Sequence, residues 1–530
     1  MNYKIDGDYI DHINYGDSGN INIDYPSHKG YAYVYTIGCQ MNSYDSEKIY
    51  AIIGSLGYAR TDRLEKADIV VCNTCSIREK AQEKAFSFLG TVVGKKRKKA
   101  DLISIMAGCV AQQEGKNIFK RIPDLDIVMG TQAFSRLPDL IAMAKSGRKH
   151  IADIKEPNEI FESMPDFTTL DRGKISKFVT IMQGCNNFCT YCVVPHVRGR
   201  ERSRTPENIV EEITILADSG VKEVTLLGQN VNSYGDYGDK NRIGSNEPHQ
   251  QGVGTFPELL EKINKIEGIE RIRFATSHPK DISDELIFAI RDLKKVCNQL
   301  HLPVQSGSNA ILKKMNRGYT RESYLERIAT LRTHCSGIGI SSDIIVGFPS
   351  ESREDFEQTL DLIRTVEFDG LFAFSYSDRP NAPASKFSGA LPEKEKMDRL
   401  NELLALQEYY TQKKNRSLVG TVEPVLVEGR SLKRRHADAG LPSSENHKTI
   451  SKTDNSQISF CDTQEQSKHD QHDSDIQQLP YSSLQQMTGR TESGKIIHFY
   501  SDIVQPGQIV NIHIEEAYPH SLWGSVIKNS

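Results

Sequence analysis

Cys185, Cys189 and Cys192 stand in one short run, GCNNFCTYC, with CxxxCxxC spacing. Three thiolates in a single tight loop can ligate three irons of a cubane cluster and leave the fourth iron open to an outside ligand. Zinc is the other chemistry for such a loop, and it needs a fourth ligand, for which His196 is at hand. A second group is dispersed. Cys39, Cys75 and Cys109 each close an apolar run, YAYVYTIGC, ADIVVCNTC and DLISIMAGC. If these runs are parallel strands, their carboxyl ends converge on one crevice, where ligands bind in open α/β sheets. Three thiols meeting there suit a second cubane with an open iron; the plainer reading is three buried cysteines at strand ends. Cys72 makes CNTC with Cys75 but lies inside an apolar run, so burial accounts for it. Cys297 and Cys335 read as core residues, and Cys461 lies in a polar tract.

The elements that carry these residues follow from the hydrophobic pattern. Residues 1–29 form a polar leader without sustained period, expected to be disordered. Over 30–147, apolar runs alternate with helix-like stretches, which predicts a parallel α/β domain of flavodoxin-like kind, with LDIVMGT as a fourth strand and a closing helix over 134–147. Residues 148–170, with Pro157 and Pro165, read as a linker. A second β–α series occupies 171–417. Its strands are KFVTIMQGC, KEVTLLGQ, ERIRFATS, QLHLPVQS, GIGISSDIIVGFP and GLFAFSYSD, which predicts a partial (β/α)6 barrel. Thr205 and Pro206 mark a helix start. A surface insertion is expected over 237–254. Residues 418–528 change to short strands and predict a small antiparallel β module, interrupted by a polar insertion over 430–486 that is nearly devoid of apolar residues. The insertion's His436, His447, His469 and His472 read as a solvated tract.

Composition bounds the rest. A chain of 530 residues suggests three or four domains at about 150 residues each. Hydrophobic content of 38% allows a core, and a net charge of −4 argues against coating by nucleic acid along the whole surface. No apolar run approaches the ~18–20 residues of a membrane span, and the first residues lack an apolar signal region, so no membrane partner and a cytoplasmic location are expected. Ten cysteines in a reducing compartment then read as ligands, nucleophiles or core residues. GTVVGKK is one residue short of a phosphate loop and follows no strand. The run Lys95–Lys99 reads as a solvated helix end. Arg198, Arg200, Arg202 and Arg204, beside the CxxxCxxC loop, predict phosphate contacts. Tyr191 and Tyr234 are candidates for base stacking.

CxxxCxxC after the first strand of a β/α barrel resembles the radical S-adenosylmethionine superfamily. With three spaced cysteines upstream and a small β module downstream, the chain is similar to the methylthiotransferases of that superfamily over about Gly30–Ile527. The strings GCNNFCTYCVVPHVRGRERSR, LLGQNVNSYG, HLPVQSGSNAILKKMNRGYT and SDIIVGFPSES resemble the branch acting on tRNA. The resemblance implies that Cys185, Cys189 and Cys192 hold the radical [4Fe-4S] cluster, and that Cys39, Cys75 and Cys109 hold an auxiliary one. S-adenosylmethionine binds the open iron, with Gly228, Gln229, Asn230, Ser341 and Asp343 as candidates for holding it. The implied reaction is methylthiolation at C2 of N(6)-dimethylallyladenosine beside the anticodon. One S-adenosylmethionine methylates a sulfur on the auxiliary cluster and another supplies the radical. The C-terminal module corresponds to the RNA-binding TRAM domain, and a low-potential electron donor and a sulfur donor are implied partners. Relatives acting on threonylcarbamoyl-adenosine or a ribosomal-protein aspartate share the architecture but differ after the third cysteine. A non-catalytic iron–sulfur RNA-binding protein is the alternative of another class.

Overall fold

The computed structural model describes residues 28–76, 79–155, 173–235, 253–431 and 484–527. The leader as far as residue 27, most of the two insertions with their histidines, and Cys461 lie outside the described residues.

The N-terminal strands β1 (Gly30–Thr36), β2 (Tyr58–Arg60), β3 (Ile69–Thr74), β4 (Ile103–Gly108), β5 (Ile127–Met129) and β6 (Ile151–Asp153) make one parallel sheet in the order β2-β1-β3-β4-β5-β6. β3 and β4 are buried at every residue, which is why they read as unbroken apolar runs. The first part of the expected linker is corrected: Ile151–Asp153 pairs with β5 as an edge strand. The strands β2 and β6 have three residues each, too few to show a period. The closing helix is Leu137–Lys145, preceded by a single tight turn at Phe134–Arg136.

The central region begins with β7 (Ser176–Thr180), then β8 (Met182–Gln183) and β9 (Arg202–Ser203), which pair antiparallel and form the neck of the CxxxCxxC loop. β10 (Glu223–Leu227) and β11 (Arg271–Phe274) join β7 in one parallel sheet, and β12 (Gln299–His301), β13 (Gly339–Val346) and β14 (Gly370–Ser375) form another. A parallel bridge between Ile272 and Val296 links the two. Six parallel strands therefore follow in sequence order, as in an opened β/α barrel. Thr205 caps the helix Pro206–Asp218 through Asn208 N–H. Ile209, Ile213 and Leu216 of that helix join Val179, Val224 and Ile272 in the main core.

The C-terminal strands β15 (Val422–Arg430), β16 (Gln485–Arg490), β17 (Ile496–Ser501), β18 (Ile509–Ala517) and β19 (Leu522–Val526) close into a barrel. The expected antiparallel module is corrected in one pairing: β17 and β19 run parallel, which closes the cylinder and leaves no edge among these five strands. This barrel docks on the amino end of the central strands. The Arg271 guanidinium donates to the carbonyls of Arg490 and Pro424, and that of Arg273 to those of Thr491 and Glu492. Lys495 of the same β16–β17 turn pairs with Asp369, 3.3 Å away.

Candidate metal centres and cofactor site

The dispersed cysteines come together because consecutive parallel strands end at one edge. Cys39 caps the helix Gln40–Ser55, Cys75 follows β3 and Cys109 opens the helix Cys109–Glu114. Two buried asparagines fasten this edge. Asn42 Nδ2 donates to Asn73 Oδ1 and Thr74 O, both at 3.1 Å, and Asn73 Nδ2 donates back to Asn42 O at 2.8 Å. Gly108 sits at φ +93°, and a Cβ there would lie 2.3 Å from Thr74 O, so only glycine lets β4 turn into Cys109. Cys75 hydrogen-bonds Cys39, and this bond holds the Cys39 thiol down to about 6 against burial, with the Arg198 charge assisting. Burial pushes the Cys109 thiol up, and Arg198 pulls it the other way. Cys72 points instead into the core among Phe86, Leu89 and Met106, fully buried.

In the contiguous loop, Gly184 at φ +78° has no room for a side chain, since a Cβ would stand 2.0 Å from Arg200 O. Burial pushes the Cys185 thiol up to about 11 and the Cys192 thiol up to about 12. The buried Arg317 guanidinium faces this loop, with Nη1 3.4 Å from Cys189 Sγ and 3.3 Å from Tyr191 OH. Sequence reading missed Arg317, whose only signal was its place in KKMNRGYT. His196, the fourth ligand a zinc site would need, is exposed, and among the described residues no three His, Cys, Asp or Glu side chains converge as one ion requires. A cubane places each thiolate on a different iron, so its three cysteines need not converge on one point as the ligands of a single zinc do.

The two groups face one interface. Cys109, Val193, Val197 and Ala382 form one buried apolar cluster, so the auxiliary side packs on the segment that follows Cys192. Thr131 Oγ1 donates to Val197 O at 2.6 Å and Gln132 Nε2 to Arg198 O at 2.7 Å. The helix Gln40–Ser55 lies along β7, where Glu47 pairs with Lys174 and Lys177.

The arginines divide, and two of the expected phosphate contacts are corrected. Arg198 is buried with its Nη2 2.7 Å from Asp45, and Arg204 is buried 2.6 Å from Glu212. A guanidinium taken out of water needs its charge met inside the protein, and these two carboxylates do so. Arg200 is exposed, over the ring of Phe188 at 4.5 Å, and Arg202 is half-buried in β9. Neither tyrosine is a free stacking platform. Tyr234 is buried and donates to Arg204 O at 2.7 Å, and Tyr191 packs against a cluster that holds Met315 and Phe348.

At the carboxyl ends of β10 and β11 lies a group of buried polar atoms without protein partners: Gln229 Oε1, Asn230 Oδ1, both amide atoms of Asn232, Ser277 Oγ and His278 Nε2. Each such atom costs about 1–3 kcal/mol when left unbonded, so their concentration makes this the candidate polar ligand site. Gly228 precedes this group and packs on β8, where a Cβ would meet Met182 Cγ at 2.4 Å. Burial, then the charges of Arg317 and Lys280, push the His278 pKa far down, so its imidazole is neutral. Asn232, Ser277 and His278 were not among the residues the sequence singled out. Ser341 and Asp343 sit apart, on the interior positions of β13 alternating with the core residues Ile340 and Ile344. His301 engages both, Nδ1 3.0 Å from Ser341 Oγ and Nε2 3.4 Å from Asp343 Oδ1.

Comparison with known proteins agrees with this organisation. The radical SAM superfamily model matches residues 179–363, the uncharacterized protein family UPF0004 matches 31–130, and the TRAM domain matches 481–527. The radical S-adenosylmethionine methyltransferase TsrM from Kitasatospora setae shares the fold with a TM-score of 0.50 at 13% identity, over 76% of this chain and 79% of that one. The tRNA-2-methylthio-N(6)-dimethylallyladenosine synthase of Syntrophus aciditrophicus is 44% identical over 94% of this chain and 95% of its own length. That of Desulfosudis oleivorans is 49% identical over 75% and 83%. With 44% identity over nearly the whole of both chains and 49% over three quarters of this one, the chain belongs to the tRNA-2-methylthio-N(6)-dimethylallyladenosine synthase family.

Proposed function

We propose that this protein methylthiolates C2 of N(6)-dimethylallyladenosine in tRNA, forming 2-methylthio-N(6)-dimethylallyladenosine, as a radical S-adenosylmethionine enzyme. The observation that carries the reading is the shared interface: two groups of three cysteines flank one contact, closed by Cys109, Val193 and Val197. An aromatic C–H is not displaced by a thiol, so a radical source and a sulfur source must act on the same carbon. Cys185, Cys189 and Cys192 would hold the radical [4Fe-4S] cluster; Cys39, Cys75 and Cys109 would hold an auxiliary one. The clusters and S-adenosylmethionine supply the radical and the sulfur chemistry.

The chain's own residues bind, orient and exclude. Gln229, Asn230, Asn232, Ser277 and His278 offer amide, hydroxyl and neutral imidazole groups to the amino, carboxylate and hydroxyl groups of S-adenosylmethionine, which supports that pocket as its site. A neutral His278 adds no charge against a sulfonium ligand. Arg317 holds Cys189 and Tyr191 in register from the barrel side. Arg200, over Phe188, remains as a phosphate contact, with Arg202 beside it, and the C-terminal β barrel is the expected second RNA contact. An acidic net charge is compatible with this, since an anticodon loop engages a limited patch. The electron and sulfur donors are separate partners. Among the described residues no helix is long and apolar enough to cross a membrane.

Nucleoside analysis of tRNA from cells lacking the gene tests the substrate. Loss of the 2-methylthio nucleoside with accumulation of dimethylallyladenosine is expected. Persistence of the normal level would redirect the activity to threonylcarbamoyl-adenosine or a ribosomal protein.

A further inference from the structure

The Asp45–Arg198 pair is built in a way that a purely structural ion pair does not need. Both side chains are out of water, 1% and 4% exposed. A guanidinium and a carboxylate sealed together ordinarily meet through two parallel bonds, which satisfy both ends of the fork. Here one bond is made, Nη2 to Oδ2 at 2.7 Å, and Arg198 Nη1 and Asp45 Oδ1 are both left without partners. Val197, the residue before Arg198, packs against Cys109, and Asp45 stands on the helix that Cys39 caps, so the pair lies between these two cysteines, whose thiols feel the Arg198 charge. The backbone of Arg198 is also fixed from the N-terminal domain, where Gln132 Nε2 donates to its carbonyl. An unpartnered buried donor beside these cysteines, with its own backbone clamped, is placed to meet whatever sulfur they carry.

We propose that Arg198 is a positioning residue of the auxiliary site, donating from Nη1 to the sulfur held by Cys39, Cys75 and Cys109 and setting how readily that cluster accepts an electron. This rests on the reading of those cysteines as ligands of a second cluster. Hydrogen bonds to sulfur and net charge are two of the levers on an iron–sulfur potential. Asp45 is the counterweight: it orients the fork through Nη2 and offsets part of its charge.

The test uses the full chain with Cys185, Cys189 and Cys192 replaced by Ala, anaerobically reconstituted so that iron reports the second site alone. Redox titration followed by electron paramagnetic resonance is compared for this parent, Asp45→Asn, Arg198→Lys, and the double variant Asp45→Asn with Arg198→Gln. Asp45→Asn leaves the positive charge unbalanced and shifts the reduction equilibrium about tenfold toward the reduced cluster, ~59 mV for one electron. The double variant removes both charges, so the net charge is the parent's, and the loss of the Nη1 donor nearer the sulfur shifts the equilibrium the other way by a smaller factor, about threefold. Arg198→Lys keeps the midpoint near the parent but alters the resonance line shape, since the planar fork is gone. Opposite signs for the two Asp45 variants support the proposal, and a structural role would not produce them. Unchanged midpoints with iron retained would overturn it, as would shifts of the same sign. Should the double variant fail to fold, the sign for Asp45→Asn decides. A parent without iron would refute the second cluster itself, and the role of Arg198 with it.

Discussion

Asp45 and Arg198, 153 residues apart in sequence, meet in a buried ion pair of 2.7 Å that joins the helix after Cys39 to the segment after Cys192. The pair shows how the molecule couples its two cysteine groups. The contact between domains includes short polar bonds from Thr131 and Gln132 to the segment after Cys192, a small apolar cluster that holds Cys109, and the ion pairs of Glu47 with Lys174 and Lys177.

Iron content distinguishes two sites from one. Two cubanes give about eight irons per chain, and replacing either cysteine triad by Ala leaves about four. Cys72→Ala keeps the full iron content, because its side chain lies in the core with Phe86 and Leu89, and costs only about 1 kcal/mol of stability.

Arg200 and Arg204 give opposite phenotypes. Arg204→Ala leaves Glu212 and the Tyr44 hydroxyl buried against a lost charge, and unfolding by denaturant reports a loss of about 3–5 kcal/mol. Arg200→Ala is within about 0.5 kcal/mol of wild type in stability. It weakens stem-loop binding and lowers the salt slope by about 1, because an exposed phosphate contact is removed.

The docking of the C-terminal barrel depends on Arg273, which bonds Glu223, Gln299 and two carbonyls of the β16–β17 turn. Arg273→Ala lowers stability by about 3–5 kcal/mol. Calorimetry then resolves a separate, earlier transition for β15–β19; a single transition unchanged in temperature would show that the arginine does not carry the contact.

His278 makes stability fall in mild acid. Its folded pKa lies below the unfolded value of about 6.5. Below that pH the unfolded chain binds a proton that the native chain refuses, so the contribution is present above about 6.5 and is lost as pH falls, at up to ~1.4 kcal/mol per pH unit. Denaturant titrations from pH 7.5 to 5.5 show this slope, and His278→Gln flattens it by that amount.

Much of this was readable before any coordinates. The cysteine groups were legible because cluster chemistry fixes residue type and because consecutive parallel strands must end together. The strand runs of β3, β4 and β10 were legible because both of their faces are buried. The roles of Arg198 and Arg204 were not. An arginine beside a cofactor loop looks the same whether it meets phosphate or a carboxylate, and the carboxylates that claim these two, Asp45 and Glu212, are set by tertiary packing. The Asn42–Asn73 clasp and the unpartnered atoms of Asn232, Ser277 Oγ and His278 Nε2 are likewise products of packing. Strands β2 and β6 escaped for want of length, and β16 because MTGRT carries too few apolar residues to show alternation.

The most direct test of the account is one anaerobic incubation of the reconstituted protein with S-adenosylmethionine, dithionite and a tRNA anticodon stem-loop carrying dimethylallyladenosine, followed by nucleoside analysis. The account predicts the 2-methylthio nucleoside together with reductive cleavage of S-adenosylmethionine, and neither with Cys185, Cys189 and Cys192 replaced by Ala. Two intact clusters with no cleavage and no methylthio product would contradict it and leave a non-catalytic iron–sulfur RNA-binding protein.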